Sequence, residues 1–215
     1  MFSYAGHHQI ILADFYEEWA RWYGRCEMKH KDFWLGEPRA GVILDVGANI
    51  GIFSVLFSKL FDTVHAFEPI EESRAKMAKN LEANGCANVH LYPLAVGDKT
   101  GKYQDIVAAK WEIENVDKVF DFTTLDDWIA ANPMTVAAIK IDTDGYDYEV
   151  LRGAHDLLLR DRPVVVVELS AHAFSTRGQS VEAAKDYLTS LGYVGRYLDD
   201  DNWVYEPIKT VATQS

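Results

Sequence analysis

The sequence is poor in cysteine and has no run of basic residues. Cys26 and Cys86 are the only cysteines among 215 residues, and their spacing fits neither a metal site nor a disulfide framework. We therefore expect both thiols to be reduced and to pack inside a cytoplasmic protein. The formal net charge is −12, and the 21 lysines and arginines are scattered. This distribution argues against a nucleic-acid partner.

Long apolar runs are absent as well. No stretch is long enough to cross a bilayer, and the first residues lack the basic-then-apolar order of a signal peptide, so we expect no membrane partner. Hydrophobic residues nevertheless make up 48% of the chain, which is enough for a full core. The patterns predict a helical extension over residues 1–40 and one domain over residues 41–215.

Residues 42–51 have the pattern of a buried strand that ends in a tight turn. Their sequence is V-I-L-D-V-G-A-N-I-G, and an apolar helical pattern follows. Glycines in such a turn let another molecule approach the backbone, and the N-terminus of the next helix points at that molecule. Glycines that serve packing alone would give the same pattern. The residues predicted to bind a cofactor here are Asp45, Gly47, Asn49 and Gly51.

The turn does not fit a dinucleotide. A dinucleotide turn has the form G-x-G-x-x-G, and its middle glycine lets the backbone close on a pyrophosphate. Asn49 occupies that middle position, and Asp45 at the strand end would repel a pyrophosphate. The same acid suits a cofactor that carries an ammonium group and a sulfonium cation. We therefore predict S-adenosylmethionine (SAM) as the cofactor and disfavour NAD.

The next predicted strand, residues 63–67, ends in an acid that suits a ribose. Glu68 and Pro69 close this strand, and Glu68 comes 17 residues after Gly51. An acid at about this distance accepts hydrogen bonds from ribose hydroxyls and disfavours the 2′-phosphate of NADP. A carboxylate that only caps the following helix is the alternative. We expect Glu68 and Pro69 to contact the cofactor.

Strand and helix patterns alternate along the chain, which predicts a doubly wound α/β sheet. Further strands are predicted at 89–92, 136–142 and 163–169, a hairpin at 101–122, and an antiparallel edge pair at 193–198 and 202–206. Helices are predicted at 70–84, 124–132 and 181–191, and one more carries Val150 to Leu158. An aromatic amphipathic pattern at 10–26 predicts a helix that either packs on the domain or forms a lid over the cofactor site.

Six motifs occur together and in order. They are D-V-G-A-N-I-G at 45–51, F-E-P at 67–69, A-V-G-D at 95–98, T-L-D-D-W at 124–128, K-I-D-T-D-G at 140–145 and E-V-L-R-G-A at 149–154. Their ordered combination resembles the FkbM family of SAM-dependent methyltransferases over about residues 15–168, and we expect the resemblance to continue to the end of the sequence. The resemblance implies a mostly parallel seven-stranded sheet with helices on both faces and a SAM site that includes Ala95. It also implies O-methylation of a hydroxyl on a small molecule, a sugar or a polyketide-type metabolite.

Asp142, Glu168 and His172 are the candidate catalytic residues. Asp142 ends the fourth predicted strand, Glu168 ends the fifth, and His172 follows shortly after. Ligands of open parallel sheets bind at the carboxyl ends of the strands, and a hydroxyl acceptor benefits from a base that takes its proton. Asp142 is the first candidate for this base. A calcium loop would need an acid or amide at Tyr146 and glycine at Asp147, so we predict no metal site.

Several alternatives stay open at this level. N-methylation of another acceptor is one, although the Asn/Asp-Pro-Pro-aromatic turn of many such enzymes is absent after Ile141. A non-catalytic module that binds SAM or a nucleotide is another. The resemblance implies a small-molecule acceptor, and both a monomer and a homodimer are compatible with the sequence. The chain also departs from the family pattern, which usually has Glu at Asp144 and a small residue followed by Glu at Tyr146 and Asp147.

Overall fold

The computed structural model describes residues 2–4, 8–10, 13, 33–35, 40–107, 116–199 and 201–208. At its N-terminal end two short strands, β1 (Phe2–Tyr4) and β2 (His8–Ile10), pair antiparallel. The helix predicted at 10–26, with its lid role, lies outside the described residues apart from Ile10, which ends β2, and Ala13. The division of the chain at residue 40 stays a prediction.

Strands and helices alternate along most of the described chain. The further strands are β3 (Val42–Val46), β4 (Thr63–Phe67), β5 (Val89–Tyr92), β6 (Ala95–Val96), β7 (Gly101–Val107), β8 (Val116–Thr123), β9 (Val136–Ile141), β10 (Val164–Glu168), β11 (Tyr193–Asp199) and β12 (Asn202–Pro207). The helices are α1 (Ile52–Phe57), α2 (Glu71–Ala83), α3 (Leu125–Ala131), α4 (Asp147–Arg152), α5 (His155–Asp161), α6 (Ala171–Thr176) and α7 (Val181–Ser190). This alternation confirms the predicted α/β class.

Seven strands form one sheet in the order β11-β12-β10-β9-β3-β4-β5. Neighbours from β10 to β5 pair in parallel, whereas β12 runs antiparallel to both β10 and β11. The chain builds outward from β3 to β5 and then returns to place β9 on the other side of β3. Strand order therefore reverses between β3 and β9, which is where such sheets bind ligands. The predicted seven-stranded sheet and its antiparallel C-terminal pair are confirmed.

The central strands are buried on both faces because helices cover both sides of the sheet. Ile43 and Leu44 of β3 are both fully buried, yet they belong to two different hydrophobic clusters. Val166 of β10 joins the cluster of Ile43, while Val165 joins that of Leu44. Successive side chains of a strand point to opposite faces, so an uninterrupted apolar strand supplies two cores at once.

A second, three-stranded sheet lies between β5 and α3 in the chain. Its order is β6-β8-β7. Strands β7 and β8 pair antiparallel, which confirms the hairpin predicted at 101–122. The parallel pairing of β6 with β8, which places Ala95 opposite Phe122, was not predicted.

Two helical features differ from the sequence interpretation. The helix predicted to carry Val150 to Leu158 is divided into α4 and α5 at Gly153. A Cβ added at Gly153 would lie 2.0 Å from the backbone oxygen of Gly97, so the helix breaks where two distant backbone segments touch. Helix α6 was not predicted, because its six residues are too few to show a helical period.

Two further sequence expectations concern membranes and thiols. Among the described helices, none combines the length and the apolar character that a bilayer crossing requires. Cys86 is a free thiol whose sulfur lies 3.1 Å from the hydroxyl oxygen of Ser58. Cys26 lies outside the described residues.

We predict that Gly47 and Gly85 respond differently to alanine. Both have positive φ, +77° and +62°, but an added Cβ would lie 1.9 Å from the Asp142 backbone oxygen at Gly47 and would have nothing within 4 Å at Gly85. Gly47→Ala therefore adds a backbone clash to conformational strain, and we expect it to lower the free energy of unfolding by about 3 kcal/mol or more. Gly85→Ala should cost about 1–2 kcal/mol through strain alone. Urea denaturation measures both, and equal losses would contradict the close approach.

Candidate active site

The turn after β3 is fixed against the end of β4. The backbone N–H of Gly47 donates to the carbonyl oxygen of Phe67 at 3.0 Å. Asn49 then adopts a left-handed conformation with a φ of 51°, and Gly51, with a φ of 83°, begins α1. A Cβ on Gly51 would lie 2.5 Å from Cγ of Met77 in α2. Gly51 is therefore needed for the packing of α2 against the turn, as the packing alternative in the sequence analysis expects. This need exists whether or not a cofactor approaches the turn.

Glu68 lies at the end of β4, beside this turn. One carboxylate oxygen accepts a hydrogen bond from the backbone N–H of Asn49 at 2.9 Å, and the other accepts from that of Ile70 at 2.8 Å. The side chain thus ties the turn to the start of α2. Glu68 is 6% exposed, and burial raises its pKa to about 7. Since a carboxylate has about four acceptor positions, it retains capacity for further donors.

Asn49 offers a second acceptor next to Glu68. Its side-chain oxygen Oδ1 is buried and has no hydrogen-bond partner among the described residues. Buried polar atoms are normally paired, so an unpaired one points to a group that the protein binds. Hydroxyl donors, such as those of a ribose, would satisfy both side chains. The residues of the turn therefore fit the SAM that the sequence predicts.

Asp45 is sealed inside the protein instead of facing the crevice. Its exposed fraction is 0%. Its Oδ2 accepts a hydrogen bond from the Ser54 hydroxyl at 2.5 Å, and the ammonium nitrogen of Lys140 lies 3.5 Å from its Oδ1. Burial raises the pKa of Asp45, while Lys140 and Ser54 act in the opposite direction. The cation that faces Asp45 is thus a lysine of the same chain. A contact between Asp45 and a cofactor stays a prediction.

Lys140 connects Asp45 to Asp142. It is the register partner of Asp45 on β9 and is 3% exposed. Its ammonium nitrogen lies 3.3 Å from Oδ2 of Asp142 and 5.3 Å from the ring centre of Phe53. Burial alone would lower the pKa of Lys140, but the two carboxylates outweigh this effect and raise it. A buried cation therefore joins the ends of two neighbouring strands.

Three carboxylates meet where β9 and β10 end. Asp142, Asp144 and Glu168 each place one oxygen within 4.8 Å of the others, and all three are half-buried. The charge of Asp144 also contributes to the raised pKa of Glu68, so this cluster extends towards the turn. The structure thus brings together Asp142 and Glu168, which the sequence singles out, and adds Asp144. Oxygens at this spacing are compatible with a hard divalent cation, whereas the sequence interpretation predicts no metal site.

The loop over residues 142–147 is held by Asp147. The carboxylate of this residue accepts hydrogen bonds from the backbone N–H groups of Thr143 and Gly145, both at 3.0 Å. Asp147 is fully buried, and burial, reinforced by the charge of Asp142, raises its pKa to about 7. Asp147 is the first residue of α4, and its carboxylate fastens the loop that precedes this helix.

The other predicted site residues lie in different surroundings. His172 is exposed on α6, and its backbone oxygen accepts a hydrogen bond from the Ser175 hydroxyl at 2.7 Å. Among the described residues, it is not part of the acidic cluster. Pro69 is half-buried next to Glu68, and Ala95 is packed in the hydrophobic core.

Comparison with known proteins identifies a family for most of this chain. The family profile described as "Methyltransferase FkbM domain" matches residues 45–194, which include the turn, the acidic cluster and the strands that carry them. A search of curated proteins finds no match.

Solved structures share the fold at low sequence identity. The FkbM methyltransferase from Methylobacillus flagellatus KT is 19% identical with a TM-score of 0.59, and the alignment covers 86% of this chain and 50% of that one. This chain therefore spans about half the length of that protein. An rRNA methylase from Streptococcus thermophilus is 13% identical, with a TM-score of 0.53 over 85% and 95% of the two chains. A Streptococcus mutans protein in complex with SAH is 13% identical, with a TM-score of 0.51 over 84% and 99%.

We predict that Lys140→Met destabilises the protein strongly. The substitution leaves the carboxylate of Asp45 buried without its cation, which should cost about 3–5 kcal/mol of unfolding free energy. Lys102→Met is the matched control, because Lys102 lies 3.3 Å from Asp121 in an exposed ion pair and should cost about 1 kcal/mol or less. Combining Lys140→Met with Asp45→Asn should cost less than the sum of the single changes. Additive losses in urea denaturation would show that the two charges do not depend on each other.

Proposed function

Because the chain belongs to the FkbM methyltransferase family, we propose that it transfers a methyl group from SAM to a hydroxyl of a small-molecule acceptor, such as a sugar or a polyketide-type metabolite. One observation carries this proposal. The unpaired acceptor of Asn49 and the carboxylate of Glu68 lie on one side of the point where strand order reverses, and the acidic cluster lies on the other. A donor-rich cofactor and a hydroxyl acceptor would therefore meet between them.

The proposed cofactor would be held by the turn and the end of β4. When bound, SAM supplies an electrophilic methyl group on a sulfonium cation. Asn49 and Glu68 accept hydrogen bonds from its nucleoside hydroxyls, while Gly47 and Gly51 keep the turn free of side chains. Pro69 and Ala95 are expected to contact the same molecule. The cluster of Asp142, Asp144 and Glu168, on the other side of the reversal in strand order, gives the site a negative field that favours a cationic donor.

Asp142 and Glu168 act on the acceptor in this proposal. Methyl transfer is an in-line displacement, so holding the donor carbon and acceptor oxygen close together supplies much of the rate. The two carboxylates orient the acceptor hydroxyl, and Asp142 takes its proton as the new bond forms. Lys140, 3.3 Å from Asp142, holds that carboxylate in place. His172 on the exposed face of α6 is the other candidate base.

The cofactor assignment predicts selective binding of SAM. At ~100 times its dissociation constant, SAM should raise the free energy of unfolding by about 2.7 kcal/mol, and NAD should not. Glu68→Ala should weaken SAM binding by about 1.5–3 kcal/mol, because hydrogen bonds to a charged group are lost. Glu206→Ala changes an exposed acid of β12 and should have no effect. Stabilisation by NAD and not by SAM would overturn the assignment, and unchanged affinity in Glu68→Ala would place the ribose elsewhere.

The catalytic assignment predicts a product that is one methyl group heavier than its acceptor. Mass spectrometry across a panel of hydroxyl-bearing metabolites should detect it, and Asp142→Asn should lower kcat by about 100-fold or more. Asp186→Asn, an exposed change on α7, is the control. SAM affinity should fall much less than kcat in Asp142→Asn, since one charge of the acidic cluster is lost while the turn that binds SAM is kept, and it should not change in Asp186→Asn. SAM binding without any product would favour the non-catalytic module.

A further inference from the structure

A second cavity lies beside the loop that carries the acidic cluster. It measures about 140 Å³ and opens between the small sheet and helix α4. Gly97, Phe122 and Tyr146 line its apolar part, and Glu149 and Arg177 line its polar part. A volume of this size admits several water molecules or one small organic group.

Two buried polar atoms of this cavity have no hydrogen-bond partner among the described residues. Glu149 is 7% exposed, and its Oε1 accepts a hydrogen bond from Nε of Arg177 at 3.0 Å, but its Oε2 is unpaired. The hydroxyl of Tyr146, a residue that is 8% exposed, is unpaired as well. Burial raises the pKa of Tyr146, and close approach of Asp105 to the hydroxyl raises it further while Arg177 lowers it, although neither contact completes a hydrogen bond of good geometry. Unpaired buried atoms at a cavity indicate a group that binds there.

Both arginines that line the cavity pair with carboxylates of its wall, and the ammonium group of Lys99 lies 4.0 Å from the ring centre of Tyr103. Arg152 donates a hydrogen bond to Asp98 at 2.5 Å. Arg177 pairs with Glu149 and lies 4.0 Å from Asp105. An ammonium ligand at Glu149 would meet the nearby guanidinium, and an anion would meet the carboxylate itself. The chemistry that fits is an uncharged group that donates hydrogen bonds.

The cavity shares a wall with the proposed reaction site. Tyr146 belongs to the loop over residues 142–147, which also carries Asp142 and Asp144. This loop packs tightly on α6, because a Cβ added at Gly145 would lie 3.2 Å from the backbone oxygen of Ala173. Arg177, which follows α6, stacks over the ring of Tyr146 at 3.6 Å from its centre. The loop over residues 142–147 thus presents Asp142 and Asp144 to the acidic cluster and Tyr146 to the cavity.

We propose that this cavity, which we call the side pocket, binds an uncharged hydrogen-bond-donating group, such as neighbouring hydroxyls on a ring. In this arrangement Oε2 of Glu149 accepts one hydrogen bond, the Tyr146 hydroxyl makes a second, and the ring of Phe122 covers the apolar face of the group. Resting on the proposed function, the inference identifies this group as the part of the methyl acceptor that lies away from the reacting hydroxyl. Tyr146 and Glu149 are then specificity-determining residues.

Binding of small probes to the full chain tests the proposal. Ligand-observed NMR and calorimetry would compare glucose and myo-inositol with ethanolamine and inorganic phosphate. We expect the neutral polyols to bind, and Tyr146→Phe to weaken their binding at least fivefold by removing one oxygen. Gly97→Ala should do the same by filling space, since its Cβ would lie in ordinary contact, 3.5 Å from Phe122 and 3.9 Å from Tyr146. Tyr197→Phe, at a tyrosine that is 57% exposed, is the control and should change nothing.

A third variant, Glu149→Gln, replaces the unpaired acceptor and should abolish polyol binding. If it fails to fold, Tyr146→Phe decides. Binding of ethanolamine or phosphate alone, equal polyol affinity in wild type and variants, or glucose-soaked crystals with only water at Oε2 of Glu149 would each overturn the proposal. Polyol binding is measured without SAM. Failure of the wild type to bind SAM would therefore contradict the proposed function and leave the pocket result to be judged separately.

Discussion

The buried ammonium group of Lys140 joins the two sides of the site, which are the strand before the Asn49 turn and the acidic cluster at the end of β9. Lys140 lies 3.5 Å from Asp45 and 3.3 Å from Asp142, and almost no solvent reaches it. Burying charges is costly unless each finds a partner in good geometry. Asp45 and Lys140 are register partners on β3 and β9, the strands on either side of the reversal in strand order, so a one-residue slip would separate two buried charges. The turn at Asn49 and the loop held by Asp147 directly follow these two strands.

The elements of the fold that follow from the sequence are those that carry their own local signal. Strand β10 is apolar up to its last residue, Glu168, as expected for a strand that helices cover on both faces. Helix α3 begins at Thr124, whose hydroxyl accepts a hydrogen bond from the backbone N–H of Asp127 at 2.9 Å, as its capping pattern predicts. The break between α4 and α5 has no such signal, since the reason for it is Gly97, far away in the chain. The short helix α6 likewise depends on its surroundings more than on its own six residues.

Some features of the candidate site likewise follow from the sequence, whereas others depend on contacts between distant parts of the chain. Glu68, Asp142 and Glu168 come last in, or just after, predicted strands, and the topology of a parallel sheet is enough to bring such residues to one edge. The enclosure of Asp45 was not predicted, because it requires Lys140 to reach across from the neighbouring strand. The backbone of Asp144 in this cluster is left-handed, with a φ of 55°, and no local sequence pattern predicts that conformation. The ordered motifs identified the family correctly, while these two features needed three-dimensional structure.

Asp147 fastens a loop that contributes to two sites. Asp142 and Asp144 of this loop belong to the acidic cluster, and Tyr146 lines the side pocket. The carboxylate of Asp147 holds the backbone of Thr143 and Gly145, the residues on either side of Asp144, so a displacement of Asp144 acts on the same short loop that carries Tyr146. A methyl donor that shifts this segment would change the affinity for an acceptor on its far side. Thermodynamic reciprocity then requires the acceptor to change the affinity for the donor by the same factor. Cooperative binding of donor and acceptor would thus be transmitted through this one loop.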